Sequence, residues 1–108
     1  MTGLLFPEDE LDENPGGNAP WPILMRKGET IGMKQAEDLT ARDAKTITRW
    51  CRAYGIGVHT CQSAPWCISA PALMMVFHGD IKALELLRLG KRGHPRVSRF
   101  FDELGIPI

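Results

Sequence analysis

The sequence predicts a mainly α-helical domain with a small β-hairpin, and three observations lead to this fold class. Apolar residues recur at helical spacing in five separate segments between residues 32 and 105. Between the second and third of these segments, residues 56–68 instead carry scattered apolar residues around a turn at 62–65, which is typical of an irregular hairpin. A chain of 108 residues is long enough for one compact core and too short for two ordinary domains.

The first 22 residues are predicted to form a disordered acidic arm. They contain five acidic residues, no Lys or Arg and several Pro and Gly residues, a composition that buries too little apolar surface to fold. Residues 1–25 carry a charge of −5, and from Arg26 onward thirteen bases against eight acids give +5. The simplest interpretation is a solubilising tail. The alternative is an arm that shields the basic body and weakens non-specific DNA binding, because it competes with phosphates for the same charges. In either case Trp21 and Ile23 are candidates to pack back onto the domain.

Two short helices separated by a few residues begin the predicted domain of residues 23–80. In the first helix Met33, Ala36 and Leu39 share one face. Asp43 is a strong N-cap for the second helix, which Gly55 ends. The apolar face of the second helix comprises Ala44, Ile47, Trp50, Cys51 and Tyr54.

Three further helices follow the hairpin. Ser69 caps the third helix, with Pro71 in its first turn, and Asp80 caps the fourth. Pro95 begins the fifth helix and Gly105 ends it. The last two helices form a predicted C-terminal helical extension, residues 81–108. Its final helix has four large apolar residues, more than one face of a short helix requires, so we expect part of it to contact another molecule.

Basic side chains on the second helix form a candidate binding surface. At 100° per residue, Lys45, Arg49 and Arg52 lie nearly opposite the apolar face. Such a row of charges is usually only a solvated surface. However, Arg and Lys donate to guanine edges, and Thr46 and Thr48 can contact phosphates or thymine methyl groups. Two helices and a following hairpin, the wing, therefore predict a winged helix-turn-helix whose second helix enters the major groove of DNA.

Residues 32–73 also carry an ordered motif around a Thr-Ile-x-Arg-Trp core. Its residues are Lys34, Ala36, Leu39, Asp43, Thr46, Ile47, Arg49, Trp50, Trp66, Ile68, Ala72 and Leu73. This motif resembles the excisionase-like and MerR-like winged-helix family. The resemblance implies a second helix in the major groove, a wing over the minor groove or backbone, and a role as a recombination directionality factor or transcription regulator.

Several positions depart from the pattern of that family. Pro65 and Cys67 flank the wing tryptophan, and Ala70 follows, where family members usually carry basic residues. Ala41 and Arg42 stand in the turn between the first two helices, where a glycine and an apolar residue are usual. The wing therefore lacks bases for a phosphate contact. Arg42 indicates either an altered turn or an extra phosphate contact.

Basic residues also crowd the span between residues 88 and 99. We predict a second phosphate-binding surface formed by Lys91, Arg92 and Arg96. Nearby glycines let the backbone approach DNA closely, and Pro95 begins a helix whose free N–H groups favour an anion. The alternative is a solvated linker whose charges only keep the protein soluble.

Other function classes find little support in the sequence. His59, Cys51, Cys61 and Cys67 do not have the spacing of a zinc signature, so the cysteines are interpreted as small buried hydrophobic residues. No arrangement typical of catalysis stands out, so we expect no enzyme, no cofactor and no metal. No segment approaches the roughly 20 apolar residues that span a bilayer, and the acidic N-terminus is unlike a signal peptide. We expect a cytoplasmic, nucleoid-associated protein.

These observations lead to one expected function and two alternatives. The expected function is sequence-specific binding of duplex DNA as an excisionase-like architectural factor, either as several copies that associate on DNA or as one copy beside an integrase or other recombinase. The first alternative is a small phage- or plasmid-type transcriptional regulator that uses the same surface. The second is a protein-interaction adaptor that keeps the winged-helix fold without binding DNA.

Overall fold

Five helices and three short strands make up residues 23–59 and 65–108, the part of the chain that this computed structural model describes. In chain order they are β1 (Thr30–Ile31), α1 (Met33–Thr40), α2 (Ala44–Tyr54), β2 (Gly57–Val58), β3 (Cys67–Ser69), α3 (Ala70–Phe77), α4 (Ile81–Arg88) and α5 (Pro95–Leu104). The predicted class, mainly helical with a small β component, is confirmed. The predicted acidic arm of residues 1–22 and most of the predicted turn at 62–65 lie outside the described residues.

Three helices begin where the sequence predicts because the side chain of each N-cap residue bonds a backbone N–H only three residues ahead, within the same segment. Asp43, Ser69 and Asp80 each accept a hydrogen bond from the backbone N–H three residues ahead, at 2.9, 3.3 and 3.1 Å. Such caps contribute about 1 kcal/mol each to stability. Pro71 and Pro95 lie in the first turns of α3 and α5. All three predicted caps are therefore confirmed.

The strands form one antiparallel sheet in the order β1-β3-β2. The predicted hairpin is present, with Val58 opposite Cys67. Strand β1 has no counterpart among the predicted elements, and it pairs with the other edge of β3, where Ile31 lies opposite Ile68. A strand of two residues is too short to show alternation, so the sequence carries no periodic signal for it.

One hydrophobic core joins the described helices and the sheet. Ile47 of α2, Leu73 of α3, Leu84 of α4 and Phe101 of α5 belong to the same buried cluster. The predicted boundary after residue 80, between the domain of residues 23–80 and the C-terminal extension, therefore does not separate two hydrophobic cores. The other apolar residues of α5, Val97 and Phe100, are also buried and Leu104 is half-buried, so the expectation of a surplus apolar face on α5 is wrong.

A nearly buried ion pair ties the segment before β1 to the turn before α5. Both oxygens of Glu29 accept hydrogen bonds from the guanidinium of Arg92, and the Arg26 N–H donates to Oε1 at 3.2 Å. Arg92 also donates to the carbonyl of Leu24 and lies over the Phe101 ring, at 5.3 Å from its centroid. The chain entering the sheet is thereby fastened against α5.

The two described cysteines lie in different environments. Cys51 is buried, as predicted, and burial raises the pKa of its thiol to about 11. Cys67 is exposed on β3, so the prediction that it is buried is wrong. Neither cysteine belongs to a disulfide in the described structure. No helix in that same part of the chain has the length and apolar character needed to cross a membrane.

Candidate nucleic-acid interface

Helix α2 has one buried face and one basic face. Its N-cap is Asp43, and Gly55 ends it in the left-handed conformation with a φ of 68°. Ile47 and Cys51 are fully buried on the inner face. We define the basic face of α2 as Lys45, Thr48, Arg49 and Arg52, of which the three basic residues are exposed and Thr48 is half-buried. The prediction that these bases lie away from the apolar side of the helix is confirmed.

Small side chains make the basic face of α2 shallow. Ala44 and Ala53 border it, and together with the four residues of the basic face they line one open depression. Among the residues that the structure describes, no acidic side chain lines this depression. Because the alanine side chains are short, the longer basic side chains project beyond the surface that Ala44 and Ala53 form. This shape allows close approach to the edge of a polyanion.

Thr46 contacts the N-cap residue at the start of α2 and is not part of the basic face. Its backbone N–H donates to Asp43, and its hydroxyl also interacts with the same carboxylate. These hydrogen bonds, with the backbone one largest, lower the pKa of Asp43 and keep it ionised. A negative charge at a helix N-terminus is favourable because of the helix dipole. Thr46 is therefore a capping partner, and Thr48 is the threonine that the structure places with the bases.

Arg42 lies in the turn between α1 and α2, directly before the N-cap. Its guanidinium carbon is 5.2 Å from the centroid of the Phe77 ring, so the exposed side chain rests against α3. Ala41 before it is left-handed, with a φ of 57°, in the place where the resembled family usually has glycine. The hydroxyl of Thr40 accepts the Arg42 N–H at 3.3 Å. The turn is tight and leaves Arg42 at the N-terminal border of the basic face.

The β2–β3 segment, which the sequence predicts to be a wing, contacts the basic face of α2 through an aromatic pair. The rings of His59 and Trp66 lie 4.2 Å apart, and the Arg52 guanidinium carbon is 5.9 Å from the Trp66 ring. Cation–π contact of this kind restrains an arginine without neutralising it. The described wing residues, 57–59 and 65–69, contain no Lys or Arg. Their role in the geometry is to support Arg52.

The predicted second phosphate-binding surface is not brought together. Arg92 is held by Glu29, and its side chain is only 14% exposed. Arg96 donates through Nε to both oxygens of Asp80, at 2.9 and 3.2 Å. Of the three predicted bases, only the exposed Lys91 has no carboxylate partner among the residues described.

Sequence reasoning missed two further contacts that position this part of the molecule, one of them long-range and the other a helix cap directly before Pro95. Arg88 of α4 donates to the carbonyl of Tyr54 at 2.8 Å, so one of the last carbonyl groups of α2 has a hydrogen-bond partner. Burial lowers the pKa of Arg88. His94, predicted only as a member of a basic cluster, is the N-cap of α5, where Nδ1 accepts the Arg96 N–H at 3.1 Å. Arg88 and Tyr54 are 34 residues apart, so spacing rules could not connect them.

Metal binding finds no support in the geometry. Across residues 23–59 and 65–108, no group of three or more His, Cys, Asp or Glu side chains could hold an ion. Cys61, one member of the candidate zinc set, lies outside the described residues.

Comparison with known proteins finds no match. No protein-family model, no curated protein and no solved structure is similar to this chain. The geometry of the basic face of α2 and its surroundings is therefore what bears on the function of the protein.

Proposed function

We propose that this protein binds duplex DNA by placing the basic face of α2 in the major groove. The observation that carries the proposal is the charge of this face, which has three exposed bases, while no acidic side chain is among the described residues that line its depression. Asp43, at the start of α2, interacts electrostatically with Lys45 alone of these bases. Eleven residues make a helix about 16 Å long, which is short enough to lie within one stretch of groove. Arg49 lies near the middle of the face and is proposed to read a guanine edge.

The order of the elements supports a winged helix-turn-helix interpretation. Helix α1, a three-residue turn and α2 are followed directly by β2 and β3. In this proposal Lys45 and Arg52 flank the base contact, and Arg42 binds a phosphate from the preceding turn. The aromatic support of Arg52 by Trp66 compensates for a wing without bases.

The proposed biological role is that of an excisionase-like architectural factor. Copies bound near a recombination site would bend or order the DNA beside a recombinase, with the deformation energy offset by protein contacts. A transcriptional regulator would use the same face of α2. Protection from cleavage beside an attachment site supports the first role, whereas protection over a promoter supports the second.

The test is a fluorescence anisotropy titration with duplex DNA, first with a mixed-sequence duplex and then with a selected site. Arg49→Ala should weaken binding to the selected site by about 1 to 3 kcal/mol, the range for one good base contact. Lys82→Ala is the matched control because it removes one exposed charge from α4, and it should leave this affinity nearly unchanged. Equal affinities for wild type and a folded Arg49→Ala variant would contradict the proposal.

A protein-interaction adaptor is the second candidate, and the wing is the observation that favours it. Val58 is 43% exposed, Pro65 and Cys67 are also exposed, and the described wing residues include no Lys or Arg. An exposed apolar surface without Lys or Arg suits a protein partner better than a phosphate backbone. The adaptor predicts a folded protein whose anisotropy signal with duplex DNA does not change even at low salt.

A further inference from the structure

A second concave surface lies on the C-terminal half of the molecule and shares no residue with the basic face of α2. It is a cleft of about 610 Å³ between the end of α3, the turn before α4 and one side of α5. Its volume falls within the range of about 300 to 1,000 Å³ that is usual for small-molecule sites. The residues that line it include Met74, His78, Asp80, Arg96, Arg99 and Phe100.

The floor of the cleft is apolar and fixed. Phe100 is 8% exposed and belongs to the hydrophobic core, so its ring cannot move independently of the fold. Met74 and Leu104 are half-buried beside it. The His78 ring borders this floor, with its centroid 6.2 Å from that of Phe100. A compact apolar group would bury surface here without requiring the core to rearrange.

Two guanidinium groups stand above this floor, and each is positioned by a neighbour. Asp80 engages Arg96 only through Nε, so the two Nη groups of Arg96 remain as donors for another acceptor. The Arg99 guanidinium carbon is 5.7 Å from the Phe100 ring, and its charge also acts on Asp80. The carboxylate and the ring therefore hold two cations on the same side of the cleft.

The acids that line the cleft do not satisfy these donors. Asp80 is only 14% exposed in its side chain, and its oxygens already accept from Arg96 and from the Ala83 N–H. Glu103 is exposed, so water screens its charge. Within the described structure, Arg99 forms no ion pair with a carboxylate, and the hydrogen bonds of Arg96 to Asp80 come from Nε. The geometry of the two guanidinium groups beside an apolar surface suits an acceptor with two oxygens.

We propose that this cleft binds a small organic anion, in which a carboxylate or phosphate head contacts Arg96 and Arg99 and a compact apolar body covers Phe100. Planar guanidinium groups bind both kinds of head group with paired hydrogen bonds. His78, at the rim, adds a third polar contact. This site does not depend on DNA binding, so its failure and that of the proposed function are distinguishable.

The first experiment titrates the full-length protein with phenyl phosphate and with benzoate while backbone amide NMR shifts are followed. Saturable shifts confined to the end of α3, the turn before α4 and α5 support the proposal. Benzyl alcohol, which has the ring without the charge, and inorganic phosphate, which has the charge without the ring, should each bind at least tenfold more weakly. Equal binding of either control overturns the proposed pairing of head and body, and saturation at another surface overturns the site.

The second experiment uses variants at the cleft. Arg99→Gln should weaken binding of whichever aryl anion binds tighter by about tenfold, the effect of losing one charge-assisted contact. Lys82→Gln is the matched control, since it removes one exposed charge from α4 and should leave the affinity unchanged. Met74→Trp places a larger side chain in the cleft from α3 and should abolish binding. An unchanged affinity in folded Arg99→Gln overturns the proposal, as does displacement of the bound anion by duplex DNA, which would assign the cleft to the DNA backbone.

Discussion

The ion pair of Glu29 and Arg92 determines which base of the turn before α5 is available to bind another molecule. The Glu29 side chain is only 4% exposed, and it accepts three hydrogen bonds, two of them from Arg92. A bidentate pair with a third donor satisfies most of the hydrogen-bonding capacity of a withdrawn carboxylate. Arg92 therefore has a structural role, and the neighbouring Lys91 is left as the exposed base of that turn.

Arg92→Ala should lower the free energy of unfolding by about 3 kcal/mol, because it leaves the Glu29 carboxylate buried without its partner. Lys91→Ala removes the adjacent exposed base and should change stability by less than about 0.5 kcal/mol. Urea denaturation followed by circular dichroism measures both variants. Equal midpoints would mean that the ion pair contributes nothing.

The same pair gives stability an acid-sensitive component. Burial opposes ionisation of Glu29, but the hydrogen bonds from Arg92 and Arg26 outweigh it, so its pKa lies below the ordinary value of 4.5. A lowered pKa in the folded state stabilises the fold above the unfolded value, and this contribution is lost as pH falls through the folded value. Unfolding free energies measured from pH 7 to pH 3 should therefore fall below about pH 4.5. Glu29→Gln should flatten part of this fall, and parallel curves would contradict this cause.

At the scale of elements, the turn between α1 and α2 places the basic face of α2 at a cost in backbone strain. Ala41 has a φ of 57°, in the left-handed region that costs an L-residue about 1 kcal/mol. The hydroxyl of Thr40 donates to the Ala36 carbonyl at 2.9 Å and so anchors the end of α1. Ala41→Gly should therefore raise the thermal midpoint, corresponding to about 0.5 to 1 kcal/mol. Ala53→Gly, an exposed substitution inside α2, should lower it by a similar amount, and two changes of the same sign would contradict the strain argument.

The contact between α2 and the sheet is close enough to exclude a single methyl group. A Cβ added at Gly57 would lie 2.7 Å from Sγ of the buried Cys51 and 3.2 Å from Ile68. Gly57→Ala should therefore cost about 1 to 3 kcal/mol through overpacking. Gly93→Ala provides the control because nothing lies within 4 Å of its added Cβ. Calorimetry of the two variants gives the comparison, and equal melting temperatures would show that the sheet gives way at no cost.

The elements differ in how much of them the sequence could predict. The five helices were predictable because apolar spacing, the caps Asp43, Ser69 and Asp80, and terminal glycines are local signals. The same reasoning placed the basic face of α2 opposite Ile47 and Cys51. Strand β1 exists only through pairing with β3, so local sequence could not reveal it. The Glu29 to Arg92 pair depends in the same way on contacts formed by the complete fold.

At the scale of the whole molecule, the shared core determines what can be removed. Leu84, Val97 and Phe101 lie after residue 80 and are buried with Ile47 and Leu73. Ending the chain after residue 80 would expose the inner surface of α3, so this fragment should show no cooperative thermal transition and should bind DNA poorly. A cooperative transition in the fragment would show that residues 23–80 form an independent domain.

Charge asymmetry leads to the opposite expectation for the N-terminal arm. Residues 1–20 carry five acids and no Lys or Arg, whereas thirteen bases against eight acids give the chain from Arg26 onward a charge of +5. If the acids compete with phosphates for the bases, deletion of residues 1–20 should strengthen binding of mixed-sequence duplex DNA at low salt, and the gain should fade as salt screens the charges. The thermal midpoint should stay near that of the full chain, because Ile23, which packs into the core, is retained. A variant with all five acids changed to Asn or Gln separates charge from chain length and should reproduce the gain. Unchanged DNA affinity in both variants would leave the arm as a solubilising tail, and loss of stability on deletion would make it part of the fold.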